Sequence, residues 1–125
     1  MLNREKAIYI FEMYLTIQEL IMNAGFPAYC YFSTEFNYSG RIQIYTVNNF
    51  EIPETVATIN FNYPHSIVLK ASYPAYKDQK WKEIKELLLK KFDIVMISLS
   101  TFLNSESELA DSVVTGIYEI TEKRK

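Results

Sequence analysis

From Arg4 to Asn23 the apolar residues recur at helical spacing. Ile10, Met13, Tyr14, Ile17, Leu20, Ile21 and, just beyond, Ala24 form one stripe. Ala7, Ile8, Phe11, Leu15 and Met22 widen it almost all the way round, leaving Glu5, Glu12, Thr16, Glu19 and Asn23 as a narrow polar strip. Asn3 suits the N-cap, although Lys6 stands where a capping-box acid would sit. Gly25 suits the position after the C-cap, and Pro27 prevents continuation.

At Ala28 the period changes to two. Ala28, Cys30, Phe32, Thr34 and Phe36 alternate with polar or aromatic neighbours, and Ile42 and Ile44 share one side of the next run, Arg41–Val47. A three-residue loop, Tyr38-Ser39-Gly40, joins them without mixing the faces, with Gly40 as a left-handed bulge residue. It sets Phe36 against Ile42, Thr34 against Ile44, Asn37 against Arg41, Glu35 against Gln43 and Ser33 against Tyr45. A connection, Asn48–Glu54, leads to a second hairpin. There Ala57, Ile59, Phe61 and Tyr63 share a face with Ile67, Leu69, Ala71 and Tyr73, and the loop is Pro64-His65-Ser66. That loop sets Phe61 against Leu69 and Asn60 against Lys70.

Past Pro74, Trp81, Ile84, Leu87 and Leu88 mark a lysine-rich second helix from about Tyr76 to Lys91. Asp93–Phe102 reads as a buried strand, Asn104–Ser112 as an acidic turn or short helix, and Val113–Thr121 as a last strand with Gly116 at a bulge. Glu122–Lys125 is expected to fray. The order α-β-β-β-β-α-β-β predicts an α+β fold: a largely antiparallel sheet of about six strands, its first four a meander, with two helices on one face. Residues 1–125 make a single domain. The layout is compatible with small dimeric binding proteins such as secretion-chaperone-like folds, and with phage tail-completion proteins; both are analogies of fold alone.

The 125 residues are 49% apolar and 22% charged, so the chain can build its own core without a disulfide or metal. A formal charge of −2 favours no nucleic-acid or membrane partner for the molecule as a whole. Cys30 is the one cysteine, which fits a reducing compartment. No signal-peptide pattern opens the sequence, and the uncharged run Ile94–Leu103 is too short to span a bilayer, so a cytoplasmic location is expected. Lysines outnumber arginines ten to three, and Asn, Ile and Tyr are abundant. These are residues of AT-rich codons, the bias of a low-GC bacterium or its phages and mobile elements.

No glycine-rich phosphate cradle is present. Glu106, Glu108 and Asp111 could hold magnesium, but the interleaved serines favour a solvated loop. Cys30 and His65 could form a nucleophile and base; Cys30 on an apolar face and His65 at a hairpin tip argue for structural roles. Lys77–Lys91 carries six lysines against three acids, a patch that could meet nucleic acid, but ion pairs along a solvated helix are the favoured reading and no arginine is present to read bases. The richest surface is the outward face of the first hairpin: Tyr29, Tyr31, Glu35, Arg41, Gln43 and Tyr45. The competing reading is strand propensity alone, or cover by the same chain.

These features predict a non-enzymatic binding protein without cofactor or metal, phage- or mobile-element-encoded, that docks on a host protein and modulates it. A structural component of a phage particle and a small-ligand or nucleotide-binding protein with a site between protomers are the alternatives. The wide apolar surface of the first helix predicts a homodimer or larger assembly, with Ala7, Phe11 and Leu15 as the excess to be covered. Cys30 is expected to be desolvated, with a serine in its place lacking a hydrogen-bond partner.

Overall fold

The computed structural model describes residues 3–35, 38–47, 53–64, 66–74, 78–102 and 113–123. Helix α1 spans Arg4–Asn23 and α2 spans Asp78–Leu89. The strands are β1 (Ala28–Ser33), β2 (Ser39–Val47), β3 (Pro53–Asn62), β4 (Ser66–Pro74), β5 (Phe92–Phe102) and β6 (Val113–Glu122). They form one six-stranded antiparallel sheet in the order β1-β2-β3-β4-β6-β5. The predicted α+β layout and element order stand.

Helix α1 is delimited as its termini imply. The Asn3 side chain accepts from the Lys6 amide at 3.1 Å, which satisfies one orphan donor of the first turn. The Asn3 amide itself donates to the Tyr63 hydroxyl at 2.6 Å, tying the helix start to the β3–β4 turn. At the other end Gly25 adopts φ 82°, while Phe26 N–H reaches the Ile21 carbonyl and Gly25 N–H the Met22 carbonyl. This paired capping turns the chain back towards the sheet.

Both helices cover one face. Ile10, Met13, Tyr14, Ile17 and Ile21 from α1, and Trp81, Ile84 and Leu88 from α2, join Ile42, Ile44, Ile59, Phe61, Ile67, Leu69, Ala71, Tyr73, Tyr118 and Ile120 in a single core. The inward faces of β3 and β4 are those that alternation selects.

The registers differ from those inferred. In the first hairpin Tyr31 opposes Arg41 and Cys30 opposes Ile42, six positions away from the pairing of Phe36 with Ile42. Strand β1 ends at Ser33, and Ser39 and Gly40 belong to β2 rather than to a three-residue loop. Gly40 is not left-handed, since Gly25 is the positive-φ glycine among the described residues. Its requirement is close packing: a Cβ at Gly40 would lie 2.6 Å from the Tyr31 carbonyl oxygen, with the Phe32 ring as near. Phe36 and Asn37 lie outside the described residues. In the second hairpin Phe61 opposes Ile67, a displacement of two, and the turn begins at Tyr63 and Pro64. Both displacements are even. An even slip leaves every side chain on its face, so alternation is blind to it.

Two other expectations fail. Strand β5 is not buried: it closes the sheet as an edge, and Val95, Met96, Ile97 and Leu99 are exposed. Gly116 sits in regular pairing with Leu99 instead of at a bulge; the Tyr118 ring lies where its side chain would be. The β5–β6 irregularity falls at Ile97, the extra residue between Met96, opposite Tyr118, and Ser98, opposite Ile117. A second bulge makes Val56 the extra residue of β3, which explains why Val56 and Ala57 are buried in succession. The acidic segment Asn104–Ser112, with Glu106, Glu108 and Asp111, lies outside the described residues, as do His65 and Lys77.

Candidate functional site: the open face of the sheet

Side chains opposite the helices point to the second face of the sheet, and among the described residues no element covers it. The register lays them out in rows. One row runs Tyr31, Arg41, Asn60, Val68, Glu119, Val95 from edge to edge. The next runs Tyr29, Gln43, Thr58, Lys70, Ile117, Ser98. Aromatic and planar groups thus gather at the β1–β2 end, and aliphatic ones at the β5 end.

Five of the six residues singled out from the sequence lie on this face. Tyr29 is 56% exposed and Tyr31 53%, unusually bare for aromatic side chains. Tyr29 stands opposite Gln43 and Tyr31 opposite Arg41. Gln43 is held in place, its side-chain nitrogen donating to the Thr55 hydroxyl at 2.8 Å. Tyr45 lies on the same face beside the bulge and is half-buried. Glu35 does not join them: it follows the end of β1 as an exposed turn residue, because the true register ends the ladder at Ser33–Ser39. What sequence reading missed is the contribution of β3. Tyr31, Arg41, Asn60 and Asn62 line a shallow depression of about 200 Å³ with Ser39 and Gly40. The polar alternation Thr58, Asn60, Asn62 was visible, but only the register of β3 against β2 places Asn60 beside Arg41.

This depression offers a guanidinium, two carboxamides and a phenol on a floor of backbone. Such groups bind by hydrogen bonding and stacking.

A second concavity, about 590 Å³, lies on the helix side between Met13, Thr16, Lys90, Lys91, Phe92, Glu122 and Lys123. Lys123 is committed there, donating to the Leu89 carbonyl at 2.9 Å and so capping the C-terminus of α2. Burial, and next the charge of Glu122, push the Tyr9 hydroxyl above its usual value. The lysines of α2 are similarly occupied. Lys80 pairs with Glu83 at 3.5 Å and lies over the Phe26 ring, and Lys85 lies over the Tyr118 ring.

Cys30 faces the helices and is half-buried beneath Tyr14. Burial pushes the thiol up from its ordinary value, and the Tyr14 hydroxyl, donating towards the sulfur, opposes this in part. A protonated thiol at neutral pH is a poor nucleophile. The expectation that a hydroxyl here would lack a partner is corrected by Tyr14, which supplies one. Among the described residues no group of three or more His, Cys, Asp or Glu could hold a metal ion, and no helix is long and apolar enough to cross a membrane. No protein-family model, curated protein or solved structure matches the chain.

Proposed function

We propose that this chain is a non-enzymatic binding protein that docks a protein partner on the open face of its sheet and modulates it by occupancy. The observation that carries this reading is the pair of bare tyrosines beside Arg41 and Gln43 on an uncovered face. Tyrosine brings a large apolar ring with few rotatable bonds, so it adds contact area at low entropic cost. Arg41 adds a planar donor fork suited to a carboxylate. The partner surface that fits is apolar with an acidic group at its centre.

The test is a photo-reactive phenylalanine analogue at Tyr31 in the source cell, with the same analogue at Lys82 on α2 as control. A discrete covalent adduct from position 31, absent from position 82 and lost with Arg41→Ala, is the expected result. Tyr31→Ala and Arg41→Ala should weaken binding of the captured partner at least tenfold, the effect of losing an anchor of ~2 kcal/mol. Their melting temperatures should stay near that of the parent. Undiminished binding accompanied by a large fall in melting temperature would mean that the face is structural.

A further inference from the structure

Strand β5 is the longest strand, eleven residues, and it lies at the edge of the sheet with one side of its backbone unpaired by any described strand. Val95, Met96, Ile97 and Leu99 are 54–59% exposed. From Ile94 to Ser100 the edge carries no charge and no proline, two of the usual protections against strand addition. The opposite edge, β1, is blunted by its length of six residues. The free backbone groups of such an edge are a template for another strand.

We propose that the strand is β5 of a second copy, pairing antiparallel across a twofold axis to give one continuous twelve-stranded sheet. The bulge selects this occupant. Before Ile97 the even positions of β5 face the helices, as Met96 opposite Tyr118 shows; after it the odd positions do, as Leu99 opposite Gly116 shows. Against a straight strand such as β6, Ile97 is left over. Against its own copy the two bulges meet. Met96 then opposes the partner's Leu99 on the helix side, Val95 opposes the partner's Ser100 on the open side, and no residue is unpaired. The two Asp93 carboxylates fall at opposite ends of the ribbon, so no like charges are set face to face. Both tyrosine–arginine patches stay accessible at the outer ends of the joined sheet, so the pairing is independent of the partner proposed for them.

Light scattering on the whole chain at micromolar concentration should give twice the 14.7 kDa mass. Met96→Lys with Leu99→Lys should give a monomer with an unchanged circular dichroism spectrum, because both side chains are exposed within the chain. In a Cys30→Ala background, oxidising a mixture of M96C and L99C proteins should yield the mixed disulfide, whereas V95C with L99C, on opposite faces, should not. Should the double lysine variant lose its fold, hydrogen exchange of the parent decides: alternate β5 amides are protected at high concentration and exchange freely on dilution. A monomer at every concentration, a dimer that survives a folded M96K/L99K variant, or a dimer without the mixed disulfide would overturn the proposal.

Discussion

The pair Tyr14 and Cys30 joins two readings of one residue type. As a small apolar side chain, Cys30 belongs on the inward face of β1, and there it packs. The overlying phenol changes what substitution does. Cys30→Ser should lower the unfolding free energy by under ~1 kcal/mol, since the new hydroxyl inherits the Tyr14 partner. Native protein should react with a thiol reagent at least tenfold more slowly than protein in denaturant, because half-burial and a raised thiol pKa act together. Equal rates would place Cys30 outside the core. The phenol itself gives the molecule an alkaline limit. Burial, with Cys30 contributing next, pushes the Tyr14 hydroxyl from 10.0 up to about 12. The folded chain therefore holds this proton more tightly than the unfolded chain. The stabilisation is complete below pH 10.0 and is lost as pH rises through the folded value near 12. Tyr14→Phe should flatten the decline of unfolding free energy with pH in that window, measured by urea titration at fixed pH steps.

At the scale of elements, α1 is the case in which pattern said too much. An almost cylindrical apolar surface predicted excess needing a partner. Much of it is satisfied within the chain: Ala7 is buried, and Phe11 packs edge-on against Phe32 at 4.9 Å. Ile8, Leu15 and Met22 remain exposed, one every seven residues along the outer side of the helix. Ile17→Ala, on the fully buried side, should cost about 2–5 kcal/mol, and Leu15→Ala within about 0.5 kcal/mol. Denaturant midpoints measure both, and similar costs at the two positions would mean that a second surface covers Leu15. The hairpins err in the opposite way. Their faces were legible from alternation, but their registers were not. What selects the register is contact across strands: the Phe32 ring over Gly40, and Tyr38 against Phe32 at 6.1 Å with its carbonyl accepting from Tyr63.

For the whole molecule, two helices on one side of a six-stranded sheet leave the sheet with unequal faces. Neighbouring residues of one strand therefore differ sharply in energetic weight. Phe61→Ala should cost about 3–5 kcal/mol, whereas Asn60→Ala should stay within about 0.5 kcal/mol. Thermal unfolding of the two variants compares the faces directly. A large cost at Asn60 would mean that something covers the open side in solution, and the tyrosine–arginine patch would then be interior.

Element types, their order and the inward faces of β1 to β4 follow from the sequence, because periods of 3.6 and two residues are local properties of the backbone. Of the site, Tyr29, Tyr31, Arg41 and Gln43 were legible for the same reason. The meander of the first four strands also follows, since consecutive strands usually pair; the registers, the place of β6 and the identity of the β5 edge belong to the tertiary structure. An apolar run such as Ile94–Leu99 reads alike whether a strand is central or at an edge, since burial is a property of neighbours and not of the run. Placing β6 between β4 and β5 left that run on the rim, and the register of β3 on β2 brought Asn60 beside Arg41. Both outcomes depend on contacts between residues far apart in the chain, which no local period encodes.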